Sequence, residues 1–168
     1  PFWSVGKVSS QPMKPIVIIG GGGVGSSAAY HLAMSGAAAD TVVIEPDPTY
    51  EFAATPRSTG GIRIQFSLPE LIEMSLYGHE IYGGFDFLMS VDGEPGVLDL
   101  KRRGYLYFAQ GKQDTQRFEQ AAKIQTLTGA NIVLLDAVEV SRGWPSIETS
   151  DVDIASFSPA DAIIDPYA

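Results

Sequence analysis

Three glycines and one glutamate near the start of the chain have the types and spacing to bind the pyrophosphate and ribose of a dinucleotide. The pattern is Gly20-x-Gly22-x-x-Gly25 directly after an apolar run, with Glu45 about 20 residues past the last glycine. The first glycine permits a sharp exit from a strand, the second lets a pyrophosphate approach the backbone, and the third lets the next helix lie close to the sheet. Amides at the start of that helix then face the phosphates, and the acid accepts hydrogen bonds from ribose hydroxyls. The charge of Glu45 disfavours NADP, because it would repel a 2′-phosphate.

The residues around these glycines predict the strand, turn and helix that such a site needs. Ile16–Ile19 is rich in β-branched residues, which is typical of a buried parallel strand, and helical spacing begins at Val24. Gly36 is placed to end the helix, and residues 42–45 predict the next strand. The alternative is an ordinary glycine-rich turn with a surface glutamate, but the full context of the motif is present and favours nucleotide binding.

A long polar segment follows the second strand. Residues 46–61 contain Pro, Thr, Ala, Ser and Gly without periodicity, which predicts a loop at the carboxyl end of that strand. Ligands bind at this edge of open α/β sheets, and long loops in compact domains are more often functional than idle. Residues 57–61, Arg-Ser-Thr-Gly-Gly, therefore offer a cation and backbone donors to an anionic cofactor. A polar surface loop without a ligand is the alternative.

Arg63 is the basic residue with the most chemical potential in the chain. It lies in the alternating run of residues 62–66, just before a predicted helix. A guanidinium at this place can bind the carboxylate of a substrate or stabilise a reduced, anionic flavin. A salt bridge to a nearby acid is an equally good interpretation of the sequence.

Composition limits the class of protein. The 168 residues are 45% hydrophobic and 18% charged, which is typical of a globular chain. Twenty acids against eleven bases give a net charge of −9, and without a basic stripe the chain is a poor partner for nucleic acid or an anionic membrane. No apolar run has the roughly 20 residues of a membrane span, and no export signal is visible, so we expect a cytoplasmic or organelle-matrix protein.

Other candidate sites are weak. The chain has no cysteine, which excludes disulfides, thiol catalysis and cysteine-bound metals within it. The basic cluster Lys101-Arg102-Arg103 is interpreted as the solvated start of a strand. Neither His31 nor His79 has a partner at ligand spacing, so no metal site is predicted.

The rest of the chain predicts short helices and strands. Ser67-x-x-Glu70 is interpreted as a capping box that opens a helix reaching Met89, with a bend or break at its glycines. Further predicted elements are strands at 97–100 and 104–109, a helix at 115–128 with Phe118, Ala121, Ala122 and Leu127 inward, a strand at 131–135, a helix capped by Asp136-x-x-Glu139, and a strand at 154–157. Most of these strands look antiparallel, and no βαβ alternation clearly resumes after residue 62.

The combined motifs resemble the D-amino-acid oxidase-like superfamily of FAD-dependent amine and amino-acid oxidoreductases, which includes glycine oxidase, sarcosine oxidase and dimethylglycine dehydrogenase. The segments that carry the resemblance are residues 16–22 with Gly25, Val43-Ile44-Glu45, residues 58–63, Gly104-Tyr105-Leu106 and Asp165-Pro166-Tyr167. The stretch from Gly60 to Glu70 is most similar to the bacterial and mitochondrial "FAD-dependent oxidoreductase domain-containing" branch.

The resemblance implies an α/β fold, with an incomplete FAD-binding Rossmann-like domain and the start of an antiparallel α+β substrate domain. The expected divisions are an arm at 1–14, the FAD-binding unit and cofactor loop at 15–84, part of the substrate domain at 85–160, and a return toward the FAD domain at 161–168. The candidate cofactor-binding residues are Gly20, Gly22, Gly23, Val24, Gly25, Glu45, Pro46, Arg57, Ser58, Thr59, Gly61 and Arg63. FAD is expected to be bound non-covalently, because relatives with a flavin joined to a histidine early in the chain carry it in the loop matching 58–61, where this sequence has none.

The implied reaction is hydride transfer from a carbon next to nitrogen to the flavin, with a small amine or amino acid as substrate. No catalytic base is assigned. A complementary C-terminal polypeptide is expected to complete the fold, since missing strands would leave apolar surface uncovered. Two other functions stay open at this stage: an NAD-dependent dehydrogenase that uses the same glycine motif, and a non-catalytic flavin-binding assembly factor.

Overall fold

Residues 15–167 are described by the structure, a computed structural model, so the predicted arm at 1–14 and the terminal Ala168 lie outside the described residues. The chain divides into two units, one ending at Arg57 and one beginning at Ser58. The helices of the described part are α1 (Gly23–Met34), α2 (Pro69–Gly83), α3 (Phe85–Leu88), α4 (Lys112–Leu127) and α5 (Ala137–Gly143). Its strands are β1 (Ile16–Ile19), β2 (Thr41–Ile44), β3 (Gly61–Ile62), β4 (Lys101–Arg102), β5 (Tyr105–Ala109), β6 (Val133–Leu135), β7 (Ile154–Ser158) and β8 (Ala162–Ile163).

The first unit is a βαβ arrangement. Strands β1 and β2 are parallel, with Ile16 opposite Thr41 and Ile19 opposite Ile44, and α1 connects them through a short 3₁₀ helix at Ala38–Asp40. The predicted strand, turn and helix around the glycines are therefore confirmed. Gly36 adopts φ +88° just after the helix, the left-handed conformation expected where a glycine ends a helix.

The prediction that β1 is a buried strand is wrong for this chain. Three of the four residues in each of β1 and β2 are exposed, and Ile19 keeps 87% of its surface accessible. The reason is that, among residues 15–57, the sheet has two strands, and α1 packs against them. An apolar sequence reports that a strand is suited to burial, whereas actual burial needs neighbouring strands and helices.

The second unit contains two small antiparallel sheets. In one, β7 lies between β5 and β6, with Tyr105 opposite Ser158 and Val133 opposite Phe157. In the other, β8 lies between β3 and β4, so that Ala162 is opposite both Ile62 and Arg102. The two-residue β8 thus joins two segments that are distant in sequence.

Helix α2 begins without the predicted capping box. Its first residue is Pro69, so the N-cap is Leu68, and no side chain caps it. Ser67 then lies one position too early to reach the third helical amide. The predicted break is confirmed: α2 ends at Gly83, and α3 starts after Gly84. A hydrophobic core cluster of the second unit consists of Ile64, Ile72 and Ala130, with Leu76, Ile132 and Ala160 packed against them.

Two other predictions need correction. The strand predicted at residues 97–100 is absent; Asp99 has φ +46°, which interrupts an extended run, and the strand β4 follows it. In α4, Leu127 is 89% exposed, whereas Gln125 is buried and donates from Nε2 to the Phe66 carbonyl oxygen over 2.9 Å. Position 127 lies on the opposite side of the helix from 125, so the helix uses an amide rather than a leucine as its inward anchor.

The capping box of α5 is confirmed. Asp136 accepts from the Glu139 amide over 2.8 Å, and the Glu139 carboxylate accepts from the Asp136 amide over 2.9 Å. The division of the chain into a cofactor domain and a substrate domain stays a prediction.

Candidate functional site

The glycine loop, defined as residues 20–25, connects β1 to α1. Gly20 adopts φ +95°, a left-handed conformation that lets the chain leave the strand sharply. Gly22 is the N-cap of α1, no side chain caps it, and the first turn contains no acidic residue. The amides of this first turn are therefore available to an external anion, and the helix dipole favours negative charge there.

The three glycines of the motif meet different surroundings. A Cβ on Gly20 or Gly22 would find no heavy atom within 4 Å, so the space in front of both residues is open. A Cβ on Gly25 would overlap the carbonyl oxygen of Gly20. Two glycines thus leave room for a ligand, and the third permits contact between the helix and the end of the strand.

Glu45 is held against the glycine loop. Its Oε2 accepts from the Gly21 amide over 2.7 Å, and its Oε1 accepts from the Asp47 amide over 2.9 Å. Two backbone donors therefore fix the carboxylate next to the loop, where it retains acceptor capacity for a ribose hydroxyl. Sequence reasoning predicted the acid but not its bond to Gly21.

Tyr50 is a residue of this site that sequence reasoning missed. Its hydroxyl oxygen would lie 2.7 Å from a Cβ on Gly21, so the tyrosine side chain faces the glycine loop. Its backbone is left-handed, with φ +57°, which is uncommon for a residue other than glycine. A tyrosine in the loop after a predicted strand is the only sequence signal, and it is a weak one.

The other candidates of the first unit lie on its surface. Val24 is 90% exposed at the start of α1, and Pro46 is exposed after Glu45. The Arg57 guanidinium stacks on the Phe52 ring, 5.1 Å from its centroid. The structure thus brings residues 20–25 together with Glu45, whereas it places Arg57 against Phe52.

The remaining candidates begin the second unit. The Ser58 hydroxyl oxygen accepts from the Gly60 amide over 3.1 Å, and Thr59 is exposed beside it. Gly60 has φ +65°, and its carbonyl oxygen accepts from the Ile164 amide over 2.9 Å. This turn leads into β3, and Arg63 directly follows that strand.

Arg63 stacks on an aromatic ring. Its Cζ lies 4.8 Å from the centroid of Tyr105, which in turn stacks on Tyr107 with centroids 6.3 Å apart. Interaction with the Tyr105 side chain, and secondarily with Tyr107, raises the pKa of Arg63. No carboxylate among residues 15–167 forms an ion pair with this exposed guanidinium. Within the described chain, the salt-bridge interpretation of Arg63 finds no support.

A buried polar cluster lies next to Arg63. Asp161 is fully buried, and its Oδ1 accepts from the Ile64 amide and from the Ser158 hydroxyl, both over 2.9 Å. Burial raises the pKa of Asp161 and lowers that of His79, whose Nε2 is buried without a hydrogen-bond partner in the described part. Sequence reasoning missed this cluster, although a single acid among small and apolar residues at 158–164 was an available signal.

Comparison with known proteins identifies the family. The family model described as FAD dependent oxidoreductase (DAO) matches residues 15–168. The chain belongs to this DAO family. The predicted resemblance and the FAD cofactor are thereby confirmed.

Individual relatives agree with the family. The chain is 36% identical over 146 residues to the bovine (Bos taurus) "FAD-dependent oxidoreductase domain-containing protein 1", covering 84% of this chain and 30% of the relative. An L-proline dehydrogenase from P. horikoshii is 26% identical with a TM-score of 0.72, covering 92% of this chain and 38% of that one. An iminodiacetate oxidase from a Chelativorans species is 25% identical with a TM-score of 0.58, covering 90% and 41%. The chain spans about 30% of the length of the curated relatives it matches.

The residues present fit the FAD of the DAO family. Open space in front of Gly20 and Gly22, a helix start without a side-chain cap, and a carboxylate fixed beside the loop match the needs of a pyrophosphate and a ribose. Within residues 15–167 there is no group of three or more His, Asp or Glu side chains that could hold a metal ion. No helix of that part is long and apolar enough to cross a membrane.

Proposed function

We propose that the whole protein oxidises a carbon–nitrogen bond of an amino acid, with FAD bound non-covalently to this chain. Membership of the DAO family supports the flavin chemistry. Arg63 of the second unit, which forms no ion pair with a carboxylate of residues 15–167, supports a substrate that carries a carboxylate. When bound, FAD supplies the acceptor for the hydride that leaves the carbon next to nitrogen.

The first unit would hold the adenosine diphosphate part of the cofactor. The amides of Gly22, Gly23, Val24 and Gly25 would donate to the pyrophosphate at the start of α1. Glu45 would accept from the adenosine ribose, with Pro46 beside it. Residues 57–61 would line the path from the pyrophosphate toward the isoalloxazine. With no histidine in 58–61, this loop offers no side chain of the kind that joins a flavin covalently in relatives.

The proposed substrate class depends on the surroundings of Arg63. An exposed guanidinium that stacks on Tyr105, and that forms no ion pair with a carboxylate of residues 15–167, is available for bidentate binding of an external carboxylate. The names of two neighbours at 25% identity or more point the same way, since L-proline and iminodiacetate are both amines that carry carboxylates. Arg63 would bind and orient such a substrate and would take no part in proton transfer, because its pKa is raised.

The test is reduction of the bound flavin under anaerobic conditions. The whole protein should be isolated with flavin absorbance, which bleaches when L-proline, iminodiacetate or another amino acid of a panel is added. Pyrrolidine is the matched control for L-proline, because it keeps the ring amine and lacks the carboxylate. Bleaching by amines irrespective of a carboxylate would contradict the role of Arg63. A flavin that no amine reduces would favour a non-catalytic flavin-binding factor.

The same proposal includes a second polypeptide segment. Because this chain spans about 30% of the length of its relatives, the rest of the flavin sheet and most of the substrate pocket would come from a complementary C-terminal part. The parallel sheet of β1 and β2, with its apolar side chains exposed, supports this partner. The chain would then contribute a cofactor region at 15–84, substrate-domain elements at 85–160, and a return toward the cofactor from 161.

A further inference from the structure

Asp161 occupies an unusual position for a carboxylate. It lies in the turn between β7 and β8 with 0% of its surface exposed. Its Oδ1 accepts two hydrogen bonds, and its Oδ2 is buried with no hydrogen-bond partner among the described residues. Burial of a carboxyl group is costly, so its presence calls for a specific role.

The bonds of Asp161 connect two segments. Its side chain accepts from the amide of Ile64, the residue that follows Arg63. Its backbone carbonyl accepts from the amide of Gly104 over 2.8 Å, and Gly104 precedes Tyr105. One buried residue is therefore hydrogen-bonded next to both members of the Arg63–Tyr105 stack.

The strand that follows Asp161 connects the same two segments. Strand β8 begins directly after Asp161 and pairs with β3 on one side and β4 on the other. The strands β3 and β4 form no ladder with each other, so their separation is set by β8. Gln65 adds a further link, because its Nε2 donates to the Tyr105 carbonyl oxygen over 3.0 Å.

Space at the stack is limited. A Cβ on Gly61 would lie 2.5 Å from the Tyr105 hydroxyl oxygen and 3.1 Å from an Arg63 guanidinium nitrogen. The guanidinium and the phenol therefore crowd one side of β3, and a small shift between the two segments would separate them. Cation–π attraction falls off once the cation leaves the ring face, so the pair depends on this spacing.

We propose that Asp161 is a positioning residue that holds Arg63 against the Tyr105 ring, so that the guanidinium presents a fixed site to a substrate carboxylate. The carboxylate as the bound group rests on the function proposed above, whereas the positioning of Arg63 by Asp161 does not. Asn at position 161 keeps an acceptor for the Ile64 amide, whereas Ala removes it. Asp161→Asn should therefore preserve the stack that Asp161→Ala loses.

The first test measures the reactivity of Arg63 in the whole, FAD-loaded protein. Phenylglyoxal modifies exposed guanidinium groups, and peptide mass spectrometry reports the rate at Arg63. Asp161→Ala should raise this rate about three-fold, as loss of an exposed cation–π contact predicts, and Tyr105→Leu should do the same. Asp161→Asn should stay close to the wild type. Phe108→Leu, a change to an exposed aromatic residue of the same strand, should leave the rate unchanged.

One further variant and an internal reference keep this test decisive. If Asp161→Ala does not fold, Ser158→Ala removes one of the two donors to Oδ1 and should give a smaller increase. The rate at Arg117, which pairs with Asp114 in α4, serves as the internal reference. An Arg63 rate that is the same in the wild type, Asp161→Ala and Ser158→Ala overturns the proposal, as does an increase in Asp161→Asn as large as that in Asp161→Ala.

The second test uses anthranilate as a carboxylate probe and flavin absorbance as its signal. Asp161→Ala should weaken anthranilate binding several-fold in the wild-type background and should have no further effect in Arg63→Met. Equal weakening in both backgrounds overturns the positioning role. If Arg63→Met binds anthranilate as tightly as the wild type, that result contradicts the proposed function instead. The phenylglyoxal rates then decide the role of Asp161 alone.

Discussion

At the scale of single residues, Glu45 has two roles beside the glycine loop. It accepts from two backbone amides, one of them in the glycine loop, and so combines a structural bond with the proposed ribose contact. Hydrogen bonds to charged groups contribute about 1.5–3 kcal/mol each. The carboxylate therefore affects both the shape of the loop and the affinity for FAD.

Replacing Glu45 should weaken FAD binding. We expect Glu45→Ala to reduce the affinity about ten-fold to a hundred-fold, because one charge-assisted hydrogen bond is lost. The measurement is the dissociation constant of FAD, from the recovery of flavin fluorescence on dilution. Glu51→Ala is the matched control, since it removes an exposed acid of the same loop whose side chain makes no hydrogen bond there. Equal affinities for Glu45→Ala and Glu51→Ala would exclude a ribose contact by Glu45.

His79 carries a pH dependence. Burial lowers its pKa below 6.5, with the charge of Asp161 acting against this shift and that of Arg102 adding to it. The unfolded chain therefore binds the proton first, and the stability that neutral His79 provides is complete above pH 6.5 and is lost as the pH falls through its lowered pKa. Between pH 7.5 and 5.5, the melting temperature of the wild type should fall more than that of His79→Gln.

Two variants separate His79 from other groups. His31→Gln replaces the only other histidine of the sequence and is the matched control for a change of histidine to glutamine. The pKa of Asp161 is raised in the folded protein, so this carboxyl contributes stability that is complete below pH 3.8 and is lost as the pH rises. Asp161→Asn removes that contribution. Its melting temperature should therefore fall more than that of the wild type as the pH falls, the opposite of the effect of His79→Gln. A His79→Gln profile parallel to that of the wild type would mean that the pKa of His79 is the same in the folded and the unfolded chain, which would contradict the shift caused by burial.

At the scale of elements, the glycine loop separates binding from folding. Gly22 has φ −63° and open space in front of it, so Gly22→Ala should fold normally and lose FAD affinity by about ten-fold or more, because the methyl group enters the space for the pyrophosphate. Gly25→Ala should lower stability as well, since its methyl group would overlap the Gly20 carbonyl oxygen. Melting temperature and FAD affinity, measured on both variants, check the contrast. A Gly22→Ala protein that binds FAD normally would place the pyrophosphate elsewhere.

The elements also show which parts of the structure the sequence could predict. The glycine loop and the capping box of α5 depend on residues close together in the chain, and both were predicted. The bond between Asp161 and Ile64 joins residues 97 positions apart, and no local pattern reports it. Likewise, Ser67 fitted a capping box locally, but Pro69 fixed the start of α2 one residue too late for it. Local chemistry was predictable, whereas positions set by long-range pairing were not.

At the scale of the whole molecule, the β1–β2 sheet has open strand edges and exposed apolar side chains. Its outer edges have no strand partner among residues 15–167, and three of four side chains in each strand are exposed. Apolar surface of this kind and open strand edges promote association with other chains. Such a sheet is stable when further strands and helices cover it, as the proposed C-terminal part would.

Residues 1–168 should behave differently with and without their complement. Expressed alone, they should bind an apolar-surface dye several-fold more strongly than the whole protein and elute as large species in size-exclusion chromatography, because β1 and β2 stay uncovered. Co-expression with the remaining C-terminal polypeptide should restore a discrete complex with bound FAD and low dye fluorescence. Val17→Lys, which places a charge on exposed β1, should improve the solubility of the isolated chain and impair the complex. A monodisperse isolated chain with little dye binding would show that the exposed sheet needs no cover.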